Sequence, residues 1–151
     1  MAVKLRASSG VNCATRPALG SGCMTTPNPE AVVDAFIAAI ERLDIDAAIA
    51  HLHPAVSYEN MPMQPITGAE AVRAALGSFL GAATEVDWPV IRQVVDGACV
   101  ANERVDRFKI GDGWLELPVA GFFEVNSDGL ITLWRDYFDM ASYQRQLGEL
   151  T

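Results

Sequence analysis

The stretch Val90-Ile-Arg-Gln-Val-Val-Asp-Gly-Ala-Cys-Val-Ala-Asn-Glu-Arg-Val-Asp-Arg-Phe108 decides how this chain folds. Asp96-Gly97 between two runs of β-branched residues is a strong hairpin signal, and it predicts strands over residues 84–95 and 98–110. Downstream, Gly111-Asp112-Gly113 returns the chain into a strand over 114–125, and Asn126-Ser-Asp-Gly129 into another over 130–138. Upstream the period is helical. Asn28 caps a first helix with Pro29 at its first position, and Val33, Phe36, Ile37 and Ile40 form one apolar face. A short second helix is expected from Asp44 to about residue 52, stopped by Pro54. Residues 55–60 read as a strand, and Met61-Pro-Met-Gln-Pro65 as a loop. Thr67 and Glu70 have the spacing of a capping box for a third helix, with Val72, Leu76, Phe79 and Leu80 on its apolar face. A last helix is expected over 140–147. The order predicts an α+β domain, its helices on one face of a curved sheet.

At 151 residues with 50% hydrophobic side chains, the chain can bury one core but not two. Residues 1–24 carry Lys4, Arg6 and Arg16 but no acid, and show no helical or strand period. They are expected to be a flexible tail, leaving the domain to residues 25–151. Beyond the tail, 8 basic residues face 19 acidic ones, a net charge of −11. Such a body repels phosphate backbones and anionic membranes, so neither nucleic acid nor membrane is expected as a partner. No apolar run reaches membrane-spanning length. Cys13 and Cys23 lie in the tail and Cys99 in a strand. An odd count without metal spacing predicts free thiols and a reducing, cytoplasmic setting.

Every second residue of a strand shares a face. Tyr58 with Asn60, Arg104 with Asp106, and Trp134 with Asp136 are polar pairs at that spacing. Taken singly, each is best read as a solvated strand face. In Val100-Ala-Asn-Glu-Arg-Val-Asp-Arg-Phe108, however, both faces carry charges and one must look toward the helices. A buried charge needs a partner, and an arginine between two aspartates is a natural one. Folding at Gly111-Asp112-Gly113 pairs Ile110 with Trp114, setting Asp106 opposite Pro118. Folding at Asn126-Ser-Asp-Gly129 pairs Val125 with Leu130, setting Asp136 opposite Val119. The two aspartates then share one level of the sheet, with the small residues of Val119-Ala120-Gly121 between them. They fall on opposite faces, so a bulge or one-residue slip is required.

Tyr58-x-Asn60, Asn102-Glu-Arg104-Val-Asp106 and Trp134-Arg-Asp136-Tyr-Phe-Asp139 resemble, in order and spacing, the signature of the limonene-1,2-epoxide hydrolases. The resemblance covers about residues 25–150. It implies the cone-shaped fold shared with ketosteroid isomerases, a curved mixed sheet with helices packed on its concave face, and a homodimer. It also implies hydrolysis of a small apolar epoxide to a vicinal diol by water, with no cofactor and no metal. By that resemblance Asp136 is the base for a water held by Tyr58 and Asn60, Asp106 is the acid, and Arg104 joins the two. Trp134, Met61, Met63, Leu117 and Phe138 are the expected substrate-binding residues.

The alternative on the same fold is a ketosteroid isomerase-like or polyketide cyclase-like enzyme, using one aspartate as a carbon-acid base. The Arg104–Asp106 pair speaks against it, since an isomerase has no need to join two carboxylates. A non-catalytic binding domain has no reason to hold these five residues together. Gly77-Ser78-Phe79 lacks the pattern of a nucleophile elbow. His51 and His53 read as surface or capping residues, Cys99 as a strand-core thiol, and Arg107, Lys109, Asp112 and Glu116 as a solvated face.

Overall fold

A computed structural model describes residues 26–151; the tail and its cysteines, Cys13 and Cys23, lie outside the described residues. The elements run α1 (Pro29–Glu41), α2 (Ile45–Ala50), β1 (Leu52–Met61), β2 (Ile66–Thr67), α3 (Ala69–Leu80), β3 (Glu85–Asp87), β4 (Val90–Asp96), β5 (Cys99–Ile110), β6 (Gly113–Val125), β7 (Ile131–Tyr137) and α4 (Met140–Leu150). The strands form one open, mixed sheet in the order β2-β1-β7-β6-β5-β3, with β4 also on β5. β1 and β7 are parallel and the other pairs antiparallel. The α+β class with a curved mixed sheet is the predicted one.

Helix α1 supplies much of the core. The Asn28 side chain accepts the Glu30 amide at 3.1 Å, capping the helix as its sequence predicts. Val33, Phe36, Ile37 and Ile40 are all buried against the sheet. Each such side chain contributes roughly 1.5–3 kcal/mol of hydrophobic stabilisation. Phe36 sets its ring edge-on to Trp134, with centroids 4.9 Å apart. Asp44 caps α2 by accepting the Ala47 amide at 3.0 Å.

Several local expectations give way to sheet pairing. Pro54 does not stop α2; it lies inside β1, which begins at Leu52. The β1–β7 register breaks between Leu52 and Ser57, and β2 pairs only with Ser57 and Tyr58, so Pro54 deprives no ladder of a donor. Thr67 forms no capping box, because it is committed to β2 opposite Ser57; Gly68, at φ 97°, takes the cap position instead. The strand expected over 84–95 is split at Trp88-Pro89, since Pro89 has no N–H to donate. The following hairpin closes on Asp96 and Cys99, one residue later than read from the dipeptide, with Gly97 at φ 57°. Cys99 is an exposed free thiol rather than a core one. The last helix runs three residues further than expected, capped by the Asp139 carboxylate.

Candidate active site

Three successive inward positions of β6 organise the site. Leu117 faces Asp106, Val119 faces Arg104, and Gly121 faces both Asn102 of β5 and Asp136 of β7. The loop after β5 is a two-residue turn that pairs Ile110 with Gly113, not with Trp114. That single-residue slip moves Asp106 and Asp136 onto one face. The next hairpin pairs Val125 with Ile131 instead of Leu130, and a shift between Glu124 and Val125 adds a second residue, so Asp136 slides from Val119 to Gly121 without changing face. The two aspartates therefore do not share a level of the sheet. They lie on a diagonal, with Arg104 midway between them.

Arg104 is fully buried. Its Nε donates to Asp106 Oδ1 at 2.6 Å, and its Nη2 donates to Asp106 Oδ2 at 3.1 Å and to Asp136 Oδ2 at 2.8 Å. The guanidinium lies over the Trp88 ring, 5.0 Å from its centroid. To reach Asp136 it must cross β6, and Gly121 leaves the opening. A Cβ at Gly121 would collide with Arg104 Nη1 and approach Asn102 Oδ1 and Asp136 Oδ1 to 2.9 Å. Asp136 Oδ2 also accepts from Trp134 Nε1 at 2.9 Å, while Asp136 Oδ1 has no partner among the described residues.

Burial pushes Asp106 up to about 7, against the pull of Arg104. Asp136 is likewise raised by burial, with Arg104 and Trp134 favouring its ionised form. Arg104 loses hydration, but the two carboxylates more than compensate and raise it above its ordinary value. Burial and the Asp136 charge raise Tyr58, so its phenol stays neutral. Two carboxyl groups on one guanidinium, one of them titrating near neutrality, form a coupled acid–base pair.

β1 brings Tyr58 beside Trp134 and Asn60 beside Asp136 in parallel register. The Tyr58 and Trp134 rings stack with centroids 3.9 Å apart. Tyr58, Asn60, Asp106 and Asp136 all line one largely apolar cavity of about 240 Å³. Of the expected substrate-binding residues, Trp134, Met63, Leu117 and Phe138 line it as well. Met61 does not. Strand alternation turns it away from the face that carries Tyr58 and Asn60. The sequence reading missed Trp88, Phe79, Met140 and Tyr143, which also line the cavity. The only sequence signal for Trp88 is the proline after it, which breaks the strand.

His51 ends α2 as its cap residue, and His53 Nδ1 accepts the Ala55 amide at 3.1 Å. Arg107 pairs with Asp87 and Glu116 and Lys109 with Glu85 on the partly exposed outer face, as expected of a solvated strand face. Among the described residues, no helix is long and apolar enough to cross a membrane.

Residues 27–148 match the family model of the limonene-1,2-epoxide hydrolase catalytic domain. The chain is 38% identical to the epoxide hydrolase EphG of Mycobacterium tuberculosis over 108 residues, covering 72% of this chain and 71% of that protein. A solved M. tuberculosis epoxide hydrolase of this type superposes with a TM-score of 0.70 at 34% identity, over 81% of this chain and 90% of the other. A Shewanella putrefaciens protein described as a SnoaL-like polyketide cyclase gives a TM-score of 0.71 at 15% identity, over 82% of this chain and 98% of the other, a likeness of fold alone. With the matched segment spanning nearly all of the described residues, this chain belongs to the limonene-1,2-epoxide hydrolase family.

Proposed function

We propose that this chain hydrolyses a small apolar epoxide to a vicinal diol in one step, by direct attack of water and without a cofactor or metal. The observation that carries this reading is the buried Arg104 joined to both Asp106 and Asp136 in the wall of an apolar cavity. Asp136 is the base, and its unpartnered Oδ1 takes a proton from a water held by Asn60 and the neutral Tyr58 phenol. The hydroxyl forms a bond to one ring carbon, the C–O bond breaks, and the released oxygen takes the proton of Asp106. Exchange with solvent returns a proton to Asp106 and removes one from Asp136. Ring strain supplies driving force, so the push of one carboxylate and the pull of the other suffice. Trp134, Leu117, Phe138 and Met63 hold the apolar part of the substrate. The protein acts as a homodimer through the outer sheet face, where Phe122, Tyr137 and Val94 are exposed.

Single-turnover hydrolysis in heavy-oxygen water tests the reaction. Direct attack labels the diol in the first turnover. Unlabelled diol at that stage means an aspartyl ester and overturns the proposal. An isomerase or cyclase reading predicts instead turnover of an unsaturated ketone or an acyclic polyketide and no diol.

A further inference from the structure

We infer that Asp34, Gln93 and Asn102 form a positioning chain that sets the Arg104 guanidinium from the protein surface; its catalytic consequence rests on the hydrolase reading above. The links are continuous. Gln93 Nε2 donates to Asp34 Oδ1 at 2.9 Å, Asn102 Nδ2 donates to Gln93 Oε1 at 3.1 Å, and Arg104 Nη1 donates to Asn102 Oδ1 at 3.1 Å. Asp34 stands exposed on α1, Gln93 is half-buried on β4 directly opposite Asn102, and Asn102 is buried on β5.

The chain has a direction, and chemistry sets it. An ionised carboxylate only accepts hydrogen bonds, so Asp34 draws the amide nitrogen of Gln93 toward α1. That turns Gln93 Oε1 toward Asn102, which must answer with its own nitrogen. Asn102 Oδ1 is then left facing the guanidinium, the one orientation that accepts from Arg104. Were either amide reversed, an N–H would face an N–H, and reversal of Asn102 would take from Nη1 the oxygen it donates to. Arg104 would then be held by the carboxylates alone. Since Nη2 serves both Asp106 and Asp136, a small rotation of the fork lengthens one bond as it shortens the other. Fixing Nη1 thus balances the two carboxylates. Gly121 contributes by leaving room for Asn102 Oδ1 and Arg104 Nη1 to meet.

Gln93 is the decisive position, because its two ends can be altered separately. Gln93→Leu removes both links. Gln93→Glu, made together with Asp34→Ala so that no like charge faces it, keeps an acceptor for Asn102 while losing the link to α1. The expected result is a kcat roughly tenfold lower for Gln93→Leu with KM unchanged, as for a misaligned catalytic group, and a kcat near the parent value for the double variant. The side-chain ¹⁵N resonance of Arg104 Nε should move in the leucine variant and stay in place in the double variant. Parental kcat in Gln93→Leu, or equal losses in both variants, overturns the inference. So does an unmoved Arg104 resonance in Gln93→Leu. If the parent opens no epoxide but the resonances follow the expected pattern, the positioning chain stands and the hydrolase reading falls.

Discussion

Strand β5 carries charges on both faces, and the two sets behave differently. On the outer face, Arg107 lies between Asp87 and Glu116 and Lys109 beside Glu85, all partly exposed. On the inner face, Arg104 lies between Asp106 and Asp136 with almost no exposure. Both are cations flanked by carboxylates. Outside, water screens the attraction and the long side chains lose entropy when fixed, so such pairs add little. Inside, each ion has lost its hydration, and only a full set of partners makes the charge tolerable. The same residue types are a solvated surface on one side of the strand and a buried cluster of coupled titrating groups on the other.

The contrast breaks most sharply at Arg104. Arg104→Met leaves two buried carboxyls without a cation, a loss of about 3–5 kcal/mol near pH 8. Near pH 5 the loss should shrink, because both carboxyls can take up protons. Denaturant unfolding at the two pH values reads this, and a pH-independent loss would show that packing rather than charge holds Arg104. Turnover should vanish in the same variant.

Gly121→Ala tests whether the inner pair needs a passage through β6. One methyl placed against Nη1 should displace the guanidinium, break its bonds to Asn102 and Asp136 and lower turnover on the order of 100-fold, with the fold retained. An alanine variant at parental activity would show that the guanidinium reaches Asp136 by another path.

The inner face should also give stability a pH slope that the outer face lacks. Asp106 titrates at about 7 in the folded protein but near 4 when unfolded. Between those values the folded state binds the proton more tightly, so the melting temperature should fall as pH rises through that window. Asp106→Asn should flatten this slope. An unchanged slope in that variant would place the titration elsewhere. The smallest effect is expected outside: Arg107→Gln should leave turnover and melting temperature essentially unchanged, and a clear loss of either would erase the distinction between the faces.

Much of this was legible in the sequence because the signals are local. The Asn28 cap, the apolar face of α1 and the alternation of β5 each report on neighbouring residues and were found where expected, whereas the glycine turns fall at the expected places but with their closing pairs shifted by one residue. Crowded charge on both faces of β5 also announced that some of it was buried. Met61 was misread because a loop was expected where β1 continues for one more residue, and alternation turns that residue outward. Trp88, Phe79, Met140 and Tyr143 were missed because they come from three distant segments, the β3–β4 link, α3 and α4, that meet only at the cavity.

The residue types of the site, its place on strands and the α+β class follow from the sequence alone, because periodicity and turn chemistry act over a few residues. Which aspartate faces which neighbour was decided by tertiary structure. Whether Asp106 and Asp136 share a face depends on whether the loop after Ile110 spans two residues or three. Gly111-Asp112-Gly113 is compatible with either count, and a slip of one residue exchanges the two faces of a strand. Burying Trp134 and Ile131 against α1 and the sheet selects one register over the other, and that energy arises only once the helices and strands have met.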